Sequence, residues 1–474
     1  MGLAPFRGRY LHDVPLTGWR ADSGHVQLGG GAAAWRGNTG DAAVLWSPRG
    51  LDRVSLDAPL VFAGYGITAP EYDWNDYPGD VRGRTVLVLA GDPPTPRDRP
   101  ALFDGGALTW YGRWAYKVEE AARRGAAAVL LVHDPAATGY DWDVVRSSWG
   151  GEVLTLAEDS AASPPVVGWI QGPAARALLA RAGASLDSLA ARAGRPDFEA
   201  VTVAPSVRVQ LHGQVRRFTS PNVAAVLPGS HRTRRAEHVV LTAHFDHFGI
   251  GPARAGDSIY NGAYDNASGV AALLEVAAAF AGMAARPDRS LVFLASTAEE
   301  AGMLGATHFV RHHAAGDAFV AALNLDGANL WGETDDVGGV GAERSSLGLT
   351  LARAAARLGM RAVPERSPAQ GFYFRSDHFP FARAGVPALS LEHGLEYRGR
   401  EPAWGPRVVG EYLARHYHGP GDEVRADFDL RGAVQQARVT FLTGLMVAGQ
   451  AERPAWFDGG RPPGPPQPAG AKRP

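Results

Sequence analysis

The sequence predicts an α/β fold built on a largely parallel sheet. Three observations carry this: short apolar runs that read as buried strands, helical stretches between them, and polar residues gathered where the runs end. From about Val207 onward, HVVLTAHFDH, SLVFLAST and AALNLDG read as strands, separated by helical stretches over 268–283 and 301–315. Strand, helix, strand repetition implies parallel pairing, because a parallel neighbour is reached through a crossover helix. In such sheets chemistry collects outside the carboxyl ends of the strands. His244, Glu299, Glu300 and Asp326 each lie at or just past the end of an apolar run.

At 474 residues the chain exceeds the size at which one core is the default, so two domains are expected. Residues 59–204 read as one small α/β unit. PLVFAGYGI, TVLVLAGD and ASPPVVGWI are short buried strands, and KVEEAARRGAAAVLLVHD is a helix running through Gly125 into a strand. Residues 1–58 have no long helical period, carry Gly29, Gly30 and Gly31, and read as β-rich or irregular, too little for a domain of their own. They are assigned to the N-terminal part of the domain that resumes over 205–457. The final stretch, 458–474, is rich in Pro and Gly and is expected to be disordered.

Composition excludes several classes of function. Lys and Arg number 47 against 49 Asp and Glu, a net charge of -2, so no basic field is present to attract a nucleic acid. Cysteine is absent, which removes disulfides, thiolate nucleophiles and cysteine metal sites, so any metal must be held by His, Asp and Glu. No apolar run approaches the roughly 18 to 20 residues of a membrane helix. The start MGLAPFRGRYLHDVPL lacks the basic segment and apolar stretch of an export signal.

The polar residues at the strand ends form a pattern. In HFDH a strand-terminal His244 is followed two residues later by Asp246, a spacing that suits a metal ligand and the carboxylate that orients its ring; alone it would equally fit a solvated loop. In YDNASG, Asp265 stands just before a helix, where a carboxylate is either an N-cap or, with two oxygens, a bridge between two cations. Adjacent Glu299 and Glu300 would repel unless a cation or shared proton relieves them. In an extended segment they point opposite ways, so one can bind metal while its neighbour acts as general base; an acidic helix start is the other reading. Asp326 ends a strand, and His418 sits in the Gly- and Pro-bounded HYHGPGDE. Together these suit a metal cluster better than coincidence. Two Zn²⁺ ions would be balanced by Asp265, Glu300, Asp326 and a hydroxide, and a neutral cluster tolerates burial.

These residues, in this order, resemble the co-catalytic two-zinc aminopeptidase family, which includes glutamate carboxypeptidases, the inactive transferrin receptor ectodomain and, more distantly, glutaminyl cyclases. The resemblance implies a three-layer α/β/α domain with a mixed, mostly parallel sheet. It implies two Zn²⁺ per chain, the first held by His244 and Asp326, the second by Glu300 and His418, with Asp265 bridging. It makes Glu299 the general base acting on a metal-bridging hydroxide, and Tyr417 a stabiliser of the tetrahedral oxyanion. Ser376, Asp377 and His378 in SDHFPF match a segment near the substrate pocket. Residues 59–204, with FAGYGITAPEY, resemble an inserted protease-associated domain. Members usually carry an export signal and helices ahead of a phrase like GLAPFRGRYLHDVPL, so an exported protein with a truncated N-terminus is expected.

The activity implied is that of an aminopeptidase acting on peptides with a free N-terminus. A carboxypeptidase would need a basic cluster for the substrate's terminal carboxylate, and Arg375 and Arg398 are few. A receptor-like scaffold would not need a full ligand set and base. A one-zinc cyclase would leave His244 without purpose as a ligand.

Overall fold

The computed structural model describes residues 1–30, 34–77, 79–314 and 318–464. The chain forms two compact units. The larger comprises Met1–Val14, Ser220–Ser367 and residues 372–464; the smaller comprises Pro15–Thr219 with Pro368–Gly371.

In the smaller unit, parallel strands Arg53–Phe62, Thr85–Leu89, Ala128–His133 and Val166–Gln171 lie side by side, flanked by antiparallel Val201–His212 and Ala43–Trp46. Each strand expected from an apolar run is present. The helix Trp114–Arg123 turns through Gly125 (φ 75°) into Ala128–His133. The residues between 15 and 58 lie in this unit, because Ala43–Trp46 pairs with Val166–Gln171 and Arg53–Phe62 with Thr85–Leu89. The first of these pairings joins segments more than a hundred residues apart, which local composition does not reveal.

In the larger unit the sheet uses the end of β1 (Val201–Leu227), then β2 (Glu237–His244), β3 (Gly249–Arg254) and β4 (Asp257–Tyr260) as a separate hairpin, α1 (Gly269–Ala281), β5 (Ser290–Ser296), α2 (Leu304–His313), β6 (Ala318–Leu325), β7 (Asp336–Val340), α3 (Leu347–Arg357), β8 (Arg361–Val363), α4 (His378–Arg383), β9 (Ala388–His393), α5 (Trp404–Arg415) and α6 (Arg431–Gly449). Strand order is β8-β7-β9-β6-β2-β5-β1. The central four, β9, β6, β2 and β5, are parallel, while β1 runs against β5 and β7 against β9, with β8 parallel to β7.

Strands buried on both faces explain the unbroken apolar runs. Val239, Leu241 and Ala243 of β2 pack with Leu273, Val276 and Phe280 of α1, with α3 and with α6. On α1 these apolar positions recur at helical spacing and make one buried stripe. Across the sheet, Phe319 meets Phe309 of α2 and Phe381 of α4. Helices thus cover both faces, giving the three-layer arrangement. Register sets His244 opposite Ser296 and Thr242 opposite Asn324. The carboxyl ends of β2, β5 and β6 therefore finish together, which delivers their terminal polar residues to one edge. Of the expected tail, residues 465–474 lie outside the described residues.

Candidate metal centre

His244 is the last residue of β2 and is buried. Its Nδ1 donates to the backbone carbonyl of Asp246 at 2.9 Å, which leaves the Nε2 lone pair facing Asp265 Oδ1 at 3.1 Å and Asp326 Oδ1 at 3.2 Å. Acceptor against acceptor is unfavourable unless a proton or cation lies between. The orienting contact comes from Asp246, but from its backbone rather than its carboxylate as the spacing suggested. The carboxylate reaches across to the Thr297 hydroxyl (2.7 Å) and the Ala298 N–H (2.7 Å). Two residues past a strand end the chain has already turned, so side chains at i and i+2 no longer share a face.

Asp265 lies in the bend before α1 and does not cap the helix. That role falls to Asn266, whose Oδ1 accepts from Gly269 N–H at 3.1 Å and Gly327 N–H at 2.9 Å, while its Nδ2 donates to Leu325 O at 2.9 Å. The bend is thereby tied to the end of β6, and Asp265 is free to face the centre. Its Oδ1 meets His244 and its Oδ2 meets His418 Nε2 at 3.1 Å. One carboxylate thus spans two imidazoles. Burial works against its charge, but the closeness of the His244 and His418 rings holds it below the usual carboxylate range.

Glu299 and Glu300 occupy a turn rather than an extended segment. Ala298 is left-handed (φ 54°), and the N–H groups of Gly302 and Met303 both donate to Glu299 O at 2.7 Å. A left-handed alanine costs about 1 kcal/mol or more, offset here by the bond from its N–H to Asp246. Because the chain turns, both carboxylates approach one region: an oxygen of each lies within 4.8 Å of a His244 nitrogen. Burial, then the charge of Asp265, push Glu300 up to about 8, and burial raises Glu299 well above the ordinary range. Glu299 is 7% exposed. Crowded buried carboxylates of this kind demand compensation by cations or protons.

Asp326 follows β6, with Oδ2 accepting from Ser376 Oγ at 2.6 Å; Ser376 in turn accepts from Asn324 Nδ2 at 2.6 Å. His418, also left-handed (φ 53°), brings Nε2 within 3.4 Å of Glu300 Oε2. Tyr417 stacks on it with ring centroids 3.8 Å apart. The Tyr417 side chain is 43% exposed; desolvation and the charges of Asp265, Glu300, Asp326 and Glu299 raise its hydroxyl well above its usual pKa, so it stays protonated.

The SDHFPF segment calls for a correction. Asp377 and His378 are fully buried at 0% exposure, and so cannot touch a substrate. Asp377 accepts from Ser296 Oγ, and burial raises it to about 7; burial lowers His378 to about 3. Ser376 acts on Asp326. The segment supports the centre from behind.

Two residues escaped the sequence reading although both stand inside motifs it singled out. His247, the last residue of HFDH, places Nδ1 2.5 Å from Glu300 Oε1. Asp422, in HYHGPGDE, is fully buried and accepts from Asp265 N–H (3.0 Å), Tyr264 N–H (2.8 Å) and Tyr412 OH (2.5 Å). Their partners lie 53 and 157 residues away in the chain, and no local signal marks them.

The donor types fit divalent cations. His244, Asp265 and Asp326 could hold one, and Asp265 and Glu300 a second together with His418 or with His247, Glu299 adjoining. Residues 222–441 match the model of peptidase family M28. Leupeptin-inactivating enzyme 1 of Streptomyces exfoliatus is 33% identical over 175 residues, 35% of this chain and 38% of that protein. Aminopeptidase YwaD of Bacillus subtilis (strain 168) is 25% identical over 374 residues, 78% of this chain and 62% of the relative. The match thus spans less than two thirds of either curated relative's length. Among solved structures, an aminopeptidase from Aneurinibacillus sp. strain AM-1 aligns over 94% of this chain and 85% of its own at 18% identity, with a TM-score of 0.48. The stretch that matches the model of peptidase family M28, residues 222–441, contains His244, Asp265, Glu299, Glu300, Asp326 and His418.

Proposed function

We propose that the chain is a zinc-dependent exopeptidase, an aminopeptidase that releases N-terminal residues from peptides, with two ions in the centre. The observation that carries this is the Asp265 carboxylate, one oxygen against His244 and the other against His418, with Asp326 and Glu300 completing the two sides. Zinc, when bound, supplies Lewis acidity toward the scissile carbonyl and lowers the pKa of water.

The chain's own residues do the rest. Glu299, buried beside His244 and Glu300, takes the proton of the attacking water on a side-chain oxygen and passes it to the leaving amine. The Tyr417 hydroxyl donates to the oxyanion that forms on the substrate. Asp246, Asn266 and Asp422 hold the turns that carry Glu299, Glu300 and Asp265.

A carboxypeptidase reading is weakened by Arg398, whose guanidinium is engaged by Asp335 at 2.8 Å and Glu333 at 3.2 Å, and so is not free to receive a substrate carboxylate. The likeness of residues 59–204 to a protease-associated domain supports a part for that segment in presenting substrate, and the family resemblance supports an exported enzyme. Among the described residues no helix is long and apolar enough to cross a membrane.

The test is a peptide panel on zinc-loaded protein. Free N-termini should be cleaved, N-acetylated ones spared and C-terminal amidation tolerated. Efficient cutting of doubly blocked peptides would point to an endopeptidase, and a requirement for a free C-terminus to a carboxypeptidase.

A further inference from the structure

We infer that His247 is a positioning residue for the second ion, holding Glu300 so that a single carboxylate oxygen is offered to the metal; this rests on the two-ion reading above. The side chain is 5% exposed, and its Nδ1 lies 2.5 Å from Glu300 Oε1. The other oxygen, Oε2, faces His418 Nε2 at 3.4 Å, on the side where Asp265 Oδ2 also lies. The two oxygens of Glu300 are thus divided between two imidazoles.

Once Glu300 is ionised, as a metal ligand is, its oxygens only accept, so the 2.5 Å contact then takes the ring proton on Nδ1 and makes His247 the donor. Nε2 finds no hydrogen-bond partner among the described residues, so the Glu300 contact is the ring's one polar anchor. Packing fixes the plane. Phe248 meets the ring edge-on at 4.7 Å, and the His418 ring lies 5.8 Å away. Gly262, at φ 68°, passes so close that a Cβ there would come within 2.9 Å of the His247 Cβ and Cγ.

A carboxylate free to rotate could bind an ion through either oxygen or both. A donor on Oε1 removes that freedom and leaves Oε2 turned toward His418 and Asp265. Partners of this outer kind typically change metal affinity by about 10- to 100-fold. The role differs from that of a ligand: His247 should tune the second ion without contributing a bond to it.

The experiment titrates the metal-free full chain with Zn²⁺ against a chromophoric chelator, resolving two affinities, for the wild type, His247→Leu and His247→Asn. Asparagine can place an amide N–H where Nδ1–H stands; leucine cannot. Leucine should weaken the second affinity by roughly 10- to 100-fold and leave the first unchanged, which also shows that the fold is intact, and asparagine should recover most of the loss. At saturating Co²⁺ the visible absorption band of His247→Leu should match the wild type. Unchanged second affinity in His247→Leu overturns the inference, and so does a shifted cobalt band, which would make His247 a ligand. If leucine disturbs both affinities, the asparagine variant decides: the wild-type pair of affinities supports the inference, and continued loss of both overturns it. A wild-type chain that binds fewer than two ions refutes the two-ion reading itself, a separate and visible outcome.

Discussion

Asp422 Oδ2 accepts the backbone N–H of Asp265 at 3.0 Å, joining the loop that carries His418 to the bend that carries the carboxylate it faces. The same carboxylate takes Tyr264 N–H and the Tyr412 hydroxyl, and Asp422, Asp265 and Tyr412 are buried. Replacing Asp422 with alanine strands three donors, two of them buried. Each unsatisfied donor costs about 1 to 3 kcal/mol, so Asp422→Ala should lower the melting temperature by several degrees and reduce metal content together. Calorimetry with elemental analysis checks this; an unchanged melting point and full metal load would contradict it.

Asp246 gives a sharper test, because its two ends act on different partners. The backbone carbonyl fixes the His244 ring, whereas the carboxylate holds Thr297 and Ala298. Asp246→Ala should therefore keep the first ion while loosening the turn before Glu299. The expected result is a loss of roughly 1 to 3 kcal/mol in stability with a fall in turnover, and first-ion affinity within a few-fold of wild type. Loss of the first ion would mean that the carboxylate orients His244 after all.

A pH dependence follows for the metal-free chain. Glu300 rises to about 8, Asp377 to about 7, and Glu299 and His244 are raised as well, so in each case the folded state binds protons more tightly than the unfolded chain. Stability from such groups is complete below their unfolded pKa and is lost as pH rises through the folded value, at up to about 1.4 kcal/mol per pH unit and group. His247 and His378, lowered by burial, act oppositely as pH falls below about 6.5. Between pH 6.5 and 8 the first set is joined by Asp76 and Glu365, each raised to about 7 by burial and acting in the same direction, so the metal-free melting temperature should fall across that window. Bound zinc replaces the protons, and its stabilising effect should grow over the same range. A flat metal-free profile would argue against this crowding of protonated groups.

The acidic pair separates base from ligand. Glu299→Gln keeps size but cannot accept a proton, so it should retain two zincs while turnover falls by on the order of 10² to 10⁴. Glu300→Gln should lose metal from the second position and regain some activity with excess zinc. Exchange of these two outcomes would exchange the roles.

What the sequence revealed was governed by local pattern. Apolar runs marked β2, β5 and β6, and their register then determined that His244, Asp326 and the Glu299–Glu300 turn share one edge. What it missed depends on turns and long-range contacts. The left-handed Ala298 brings both glutamates toward one region, against the alternation of a strand. Asn266 takes the helix cap, His247 finds Glu300, and Asp422 finds Asp265 only once distant segments are assembled. Ser376, Asp377 and His378 were legible as neighbours of the centre, but their burial was not.

The most direct test of the two-ion aminopeptidase is a titration of the metal-free chain with zinc in which bound metal and hydrolysis of an unblocked peptide are read from the same samples. Binding should saturate at two ions per chain, with activity absent from the metal-free sample and complete at saturation. Full activity in the verified metal-free protein would contradict it.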